Sequence, residues 1–155
     1  VQEFIDLGRV YPHLCFNIIG DGEERQFLKE KASKNIFFHG SLSHDAINQV
    51  FKGSDVMFLP SKSEGFPKVI LEAASAGIPA IVYDTYGASD WIEDNKNGFI
   101  VNDILEVEEV IDRLMARPDI LKEASENAIK LANKFDWKFV IRRWEEVIED
   151  LFHGR

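Results

Sequence analysis

The chain is predicted to be an α/β protein. The expected fold is a Rossmann-like doubly wound parallel sheet with helices on both faces and a helical C-terminal tail. Three observations lead there. Short apolar runs alternate with helical patterns through about the first hundred residues, and strands separated by helices of about 10–15 residues require parallel crossovers. The runs are continuously apolar, which suits a sheet covered on both faces. From Val107 onward the pattern is helical only.

The elements follow in order. Residues 1–10, with Phe4, Ile5 and Val10, read as the end of a helix. Leu14-Cys15-Phe16-Asn17-Ile18-Ile19 reads as a buried strand closed by the turn Gly20-Asp21-Gly22, with Cys15 expected as a buried, reduced thiol. A helix is expected from Glu23 to Lys34 and a second strand over Ile36-Phe37-Phe38-His39, ended by Gly40. Ser43 suits an N-cap for a helix through Phe51 that stops near Gly53. Asp55 to Leu59 is a third strand, and Val69 to Ala76 a helix ended by Gly77-Ile78-Pro79. Ala80 to Tyr83 and Phe99 to Val101 complete the strands.

In the tail, Pro118 opens a new helix after Arg117. The last helix carries Val140, Trp144, Val147, Ile148 and Leu151 on one stripe, expected as core or interface rather than a cofactor box. Trp137 and Phe139 lie off the stripe, where they would cover the sheet or face a partner domain.

Composition narrows the class. The 155 residues suit one domain, 45% hydrophobic and 29% charged, with net charge −9. A nucleic acid or anionic membrane normally needs a basic patch, so the acidic balance argues against both as direct partners. The acidic runs at Glu106–Glu109 and Glu145–Asp150 read as solvated helix faces. The single cysteine rules out an intrachain disulfide and favours a reducing, cytoplasmic compartment. No stretch reaches transmembrane length, and no signal peptide opens the chain. The chain lacks an initiator Met and starts inside a helical pattern, so a piece of a longer protein is expected, with a first strand and a phosphate-facing loop upstream.

Ligands of open parallel sheets bind at the carboxyl ends of the strands. After Leu59 come Pro60-Ser61-Lys62-Ser63-Glu64-Gly65-Phe66-Pro67-Lys68-Val69-Ile70-Leu71-Glu72. Gly65 permits close backbone approach to a ligand, and Pro67 suits a first helical turn. Free amides around Phe66, Lys68 and Val69, with the helix dipole, make an anion site suited to a diphosphate, to which Lys68 adds charge. Glu64 precedes the helix and reaches toward sugar hydroxyls. Glu72 lies about five residues inside, roughly 7–8 Å along the axis, where a carboxylate can hold a vicinal diol such as a ribose pair. On spacing alone, Glu64 as a helix N-terminal partner and Glu72 as a surface residue is the better reading. The apolar neighbours of Glu72 (Ile70, Leu71, Ala73, Ala74) argue against a solvated face. Gly20-Asp21-Gly22 is similar to a phosphate loop without its spacing and reads better as a tight turn. His13, His39, His44 and His153 show no metal-ligand spacing, and no metal is expected. His39, at a strand end, is a candidate for lining the site.

The segment Pro60-Ser61-x-x-Glu64-Gly65-Phe66-Pro67-x-Val69-x-Leu71-Glu72-Ala73-x-x-x-Gly77-x-Pro79 resembles the signature of the group 1 (family 4) glycosyltransferases. The resemblance extends to Ile19-Gly20-Asp21-Gly22-Glu23-Glu24, Phe38-His39-Gly40, Ser54-Asp55-Val56, Asp84 to Asp90 and Asn97 to Val101, covering most of residues 14–101. It implies a retaining enzyme of the GT-B class, built from two Rossmann-like domains with a cleft between them. Residues 1–155 would be its C-terminal, nucleotide-sugar-binding domain, without the first strand and the N-terminal acceptor domain. Carried over by position, Glu64 is the catalytic candidate and contacts the donor sugar, while Glu72 holds the ribose. Gly65, Phe66, Pro67, Lys68 and Val69 meet sugar and diphosphate, and Gly20, His39 and Gly40 lie toward the base. Ser41 falls in the same region. A nucleoside-diphosphate sugar is the expected substrate, with no cofactor.

Two departures stand out. The Arg and Lys that clamp the diphosphate in the family fall outside this chain, and Tyr86-Gly87-Ala88-Ser89-Asp90 replaces the usual Gly-Gly-x-x-Glu. The expected activity is sugar transfer, as in polysaccharide biosynthesis, to a glycan, lipid or other acceptor. This chain would be inactive alone. The full enzyme is expected in the cytoplasm, with a peripheral membrane contact through the other domain. A nucleotide-sugar epimerase of similar architecture and a non-catalytic sugar-nucleotide-binding module are the alternatives.

Overall fold

Strands and helices alternate through residue 101 and helices alone follow, in a computed structural model that describes residues 2–65, 68–85 and 87–153. The α-helices are α1 (Gln2–Val10), α2 (Arg25–Lys31), α3 (His44–Lys52), α4 (Lys68–Ser75), α5 (Ile104–Ala116), α6 (Pro118–Lys134) and α7 (Trp137–His153). The strands are β1 (Phe16–Ile19), β2 (Ile36–Gly40), β3 (Met57–Leu59), β4 (Ala80–Tyr83) and β5 (Gly98–Val101).

Every ladder is parallel, as the crossovers demand. The strands form two ladders, β1–β2 and β3–β4–β5. Helix α1 ties them together, because the Phe4 ring stacks on Phe58 of β3 at 5.4 Å and meets Phe16 of β1 edge-on at 6.4 Å.

Strand β4 shows why helices cover both faces. Ile81 and Tyr83 point into a core with Leu7 and Tyr11 from α1, Phe99 and Val101 from β5, and Val107, Val110 and Leu114 from α5. Ala80 and Val82 point the other way, onto Ile70 of α4 with Ala88 and Ile92. Alternation along one strand thus feeds two layers. All four β4 residues are buried, while β1 and β3 are half-buried at every position.

Local chemistry sets the helix ends. Ser43 caps α3, its hydroxyl accepting from the Ala46 amide. Helix α4 stops in a Schellman turn, with Ile78 N–H on Ala73 carbonyl, Gly77 N–H on Ala74 carbonyl, and Gly77 at φ +79°. Asp103 caps α5 by accepting from Leu105 and Glu106, which starts that helix three residues before the apolar pattern at Val107. Helix α2 is shorter than its expected span, and Gly22 N–H bonds Asp21 Oδ1 in the turn before it.

One expectation fails and another loses one of its two alternatives. Cys15 is exposed, because the β1 ladder begins at Phe16 and the thiol sits on the connection before it. The apolar stripe of α7 is not core. Trp144, Val147, Ile148 and Leu151 are all exposed, as are Trp137 and Phe139, because the helix extends beyond the layers that bury α5 and α6. An amphipathic pattern records which face could be buried, not whether a neighbour is there.

Candidate functional site

In each parallel ladder the candidate residues fall at or just after the carboxyl ends of the strands. Gly20 and Gly40 lie at the ends of β1 and β2, the Pro60–Gly65 segment after β3, and the Asp84–Asp90 segment after β4. Parallel pairing places these ends on one edge of each ladder, where ligands of such sheets are met.

The β3–α4 segment positions both glutamates. Ser61 Oγ donates to the Ser63 carbonyl, turning the chain toward Glu64, which is exposed together with Gly65. Among the described residues nothing lies within 4 Å of where a Gly65 Cβ would stand. Lys68 begins α4 and is exposed, whereas Val69 and Glu72 are half-buried. Among the described residues neither the Glu64 nor the Glu72 carboxylate has a hydrogen-bond or ion-pair partner, so both keep their acceptor capacity. The Glu72 main-chain carbonyl accepts from Ser75 Oγ at 2.7 Å. Phe66 and Pro67, both expected to line the site, lie outside the described residues, as does Tyr86.

The other cluster is built on irregular backbone. The β1–β2 register runs Ile18↔Phe38 and then Ile19↔Gly40, so His39 is the extra residue of a bulge. The bulge leaves His39 exposed, with Nε2 2.8 Å from Asn17 Oδ1. Beyond it Gly20 N–H bonds the Gly40 carbonyl at 2.8 Å, and the two glycines hold φ of +126° and +71°. Side chains at these angles would be strained, so glycine is needed at both. Nothing lies within 4 Å of a Gly20 Cβ position, which leaves the mouth of β1 open.

Several nearby groups carry no signal in the motifs. Tyr83, at the end of β4 and 2% exposed, donates its hydroxyl to Glu3 Oε1 at 2.8 Å, and burial first, then Glu3, pushes its pKa well up. Lys62 lies over the same ring at 5.6 Å from its centroid. Arg25 lies against Gly40, and its Nε is buried without a hydrogen-bond partner. The only hint of it in the sequence is a basic residue four after Asp21.

Two open clefts lie on the described surface. One of about 400 Å³, between β5 and α5, is lined by Asp94, Asn95, Glu106 and Arg113 among others. Its polar groups satisfy each other or the backbone: Asp94 accepts from the Ile100 amide, Arg113 donates to Asn95, and Glu106 holds Asn102. That makes it a brace of the sheet edge. The second, of about 240 Å³, is lined by Asp21, Gly22, Glu23, Arg25, Gln26 and Lys29 beside the β1 end.

Among curated relatives, an uncharacterized glycosyltransferase of Haemophilus influenzae is 26% identical over 92% of this chain and 42% of its own length. The GtfA subunit of a UDP-N-acetylglucosamine–peptide N-acetylglucosaminyltransferase of Streptococcus pneumoniae is 28% identical over 99% of this chain and 33% of its own. The chain therefore spans less than half of these relatives. Among solved structures, Anabaena HepE in complex with UDP-glucose superposes with a TM-score of 0.82 at 22% identity, over 96% of this chain and 44% of that one. At that identity the likeness establishes the fold alone. The family of group 1 glycosyl transferases matches residues 4–131, across both strand-end clusters and six of the seven helices. This chain belongs to the group 1 glycosyltransferases.

Proposed function

We propose that this chain is the donor-binding, C-terminal half of a retaining, family 4 glycosyltransferase of the GT-B class. In this reading it holds a nucleoside-diphosphate sugar while an N-terminal domain holds the acceptor. The observation that carries it is the segment from Glu64 to Glu72. It follows a parallel strand end, opens a helix, and bears two carboxylates without partners among the described residues.

The chemistry follows from that placement. The diphosphate sits at the start of α4, where amides without intrahelical partners and the helix dipole favour negative charge. Gly65 lets the backbone close on it. These donors face the charge that grows on the leaving diphosphate as the sugar–oxygen bond breaks, the step where fixed dipoles help most. Glu64 orients the sugar and Glu72 accepts from the ribose diol. The named relatives are glycosyltransferases, and HepE and the pneumococcal enzyme were solved with UDP or a UDP-sugar, which favours transfer over epimerisation and a uridine donor.

The intact protein is proposed to add a parallel strand between β1 and β3, followed by the basic loop that clamps the diphosphate. Two features support this. Each of these strands ends its ladder half-buried, and Phe4 lies against both Phe16 and Phe58. Without that loop this half does not turn over. No helix among the described residues is long and apolar enough to cross a membrane, and we place the enzyme in the cytoplasm, meeting membranes through its other domain.

The test is calorimetry and kinetics on the intact protein. Glu72→Ala is expected to weaken nucleoside-diphosphate binding about tenfold or more, and Glu64→Gln to lower kcat about 100-fold with binding largely kept. Absence of binding to every nucleoside diphosphate would overturn the reading. The anomeric configuration of the product, read by NMR, tests retention.

A further inference from the structure

Helix α7 leaves almost all of its side chains in solvent. Only Val140 is half-buried, while Trp137, Trp144, Val147, Ile148 and Leu151 are 47% to 77% exposed. Trp137, expected off the stripe, stands seven residues before Trp144, as Leu151 stands seven after it. The three therefore form one row, with Val140 and Val147 between them, and a sevenfold apolar repeat is the pattern of a helix that pairs with another helix.

The charges of α7 are sorted along its length. Lys138, Arg142 and Arg143 stand in its first half, and Glu145, Glu146, Glu149 and Asp150 in its second. This order opposes the helix dipole, which favours acids at the start of a helix and bases at its end. Among the described residues none of these seven side chains makes an ion pair or a hydrogen bond. A 17-residue helix with an exposed apolar row and a reversed charge order gains little by standing alone.

A second helix running antiparallel corrects both defects. It covers the row, and it sets acids against bases at each end. At 3.6 residues per turn, Arg143 and Asp150 flank the row on one side, and Lys138 and Glu149 on the other. In an antiparallel pair of identical helices each flank meets the same flank of its partner. Arg143 then faces Asp150 of the second copy, Asp150 faces its Arg143, and Lys138 and Glu149 approach each other in the same way. Helix α7 thus carries both halves of its own complement. A lipid surface fits less well, since interfacial helices carry a basic polar face and α7 has four acids to three bases.

We propose that α7 is a dimerisation helix, which pairs antiparallel with α7 of a second copy of this chain. The interface is isologous, with its two-fold axis passing between Trp144 and Val147. It does not depend on the donor-site reading.

The intact protein is followed by sedimentation equilibrium as wild type, Trp144→Glu, Arg143→Glu, Asp150→Arg and the Arg143→Glu/Asp150→Arg double variant. The wild type is expected to be a dimer. Trp144→Glu is expected to be a monomer with the amide-exchange protection of β4 unchanged, which separates lost pairing from lost folding. Each single charge reversal sets like charges across the seam at two places, and is expected to weaken the dimer about tenfold or more. The double variant restores opposite charges in exchanged places, and is expected to return to within about threefold of wild type. A dimer indifferent to the single reversals, or a double variant no better than the singles, would overturn the antiparallel pairing. A wild type that stays monomeric would overturn the proposal and give this face to another part of the same protein.

Discussion

Strands β1 and β4 are both short, parallel and apolar, four residues each, yet every residue of β4 is buried and every residue of β1 is half-buried. Composition does not separate them, since Phe16-Asn17-Ile18-Ile19 is as bulky as Ala80-Ile81-Val82-Tyr83. Position does. Strand β4 has a neighbour on each side and a helix layer on each face, while β1 has only β2 beside it. Burial is a property of the assembled neighbours, and the carboxyl ends of the less buried ladder are where the backbone bulges and opens. Stability is therefore concentrated around β4, and the irregular backbone lies at the margin of β1 and β2.

The sharpest way to break that contrast is to truncate matched residues. Ile81→Ala, at a site 1% exposed, is expected to cost about 2–5 kcal/mol in urea unfolding. Ile18→Ala, half-buried on β1, is expected to cost about half as much or less. If the intact protein inserts a strand beside β1, the two costs converge there, and a difference that stays unchanged would count against that strand.

A smaller effect tests what joins the two sides of the molecule. Asn35 Nδ2 lies 3.0, 2.9 and 2.8 Å from the carbonyls of Gly8, Tyr11 and Leu14, fastening the end of α1 to the start of β2. Asn35→Ala leaves part-buried carbonyls short of a donor and is expected to cost about 1–3 kcal/mol by thermal or urea melting. Loss of the α1–β2 staple should be felt more by β1 than by β4, which amide hydrogen exchange would read.

High pH probes the buried side. Burial first, with Asp112 nearby, pushes the Tyr11 pKa up to about 12, and burial with Glu3 raises Tyr83 further. Both phenols keep their protons in the folded state at a pH where the unfolded chain has released them. The contribution of these two phenols to stability should thus be level below pH about 10 and fall above it as the unfolded state binds fewer protons. Tyr83→Phe is expected to flatten part of that fall, measured as melting temperature against pH. An unchanged slope would show that Tyr83 does not set it.

The smallest effect is expected on α7. Trp144 is 63% exposed, so Trp144→Ala should move the stability of the single, unpaired chain by no more than about 0.5 kcal/mol, checked by urea unfolding of a dilute sample. A large loss would mean that α7 packs on the rest of its own chain.

Much of the candidate site is legible in the linear pattern of residues. Glu64, Gly65, Lys68, Val69 and Glu72 follow a run that has to be a strand, and Gly77 has to end the helix, because its left-handed turn suits glycine. Arg25, Tyr83 and Lys62 are not legible there. Their settings depend on what lies across from them: Gly40 fifteen residues away, Glu3 eighty away, and the ring of Tyr83 itself. Cys15 departs from expectation, and the α7 stripe loses the core alternative, for the same reason. An apolar context shows what could be buried but not where the neighbours stop.

The sequence by itself determined the elements, their parallel direction, the caps at Ser43 and Gly77, and the motif that sets two acids around a helix start. These depend on local geometry and periodicity, which a linear pattern records. Only the tertiary structure decided the break between the two ladders, the bulge at His39, the approach of Arg25 to Gly40 and the exposure of α7. Each of those is a relation between residues distant in sequence, set by which surfaces meet when the chain folds.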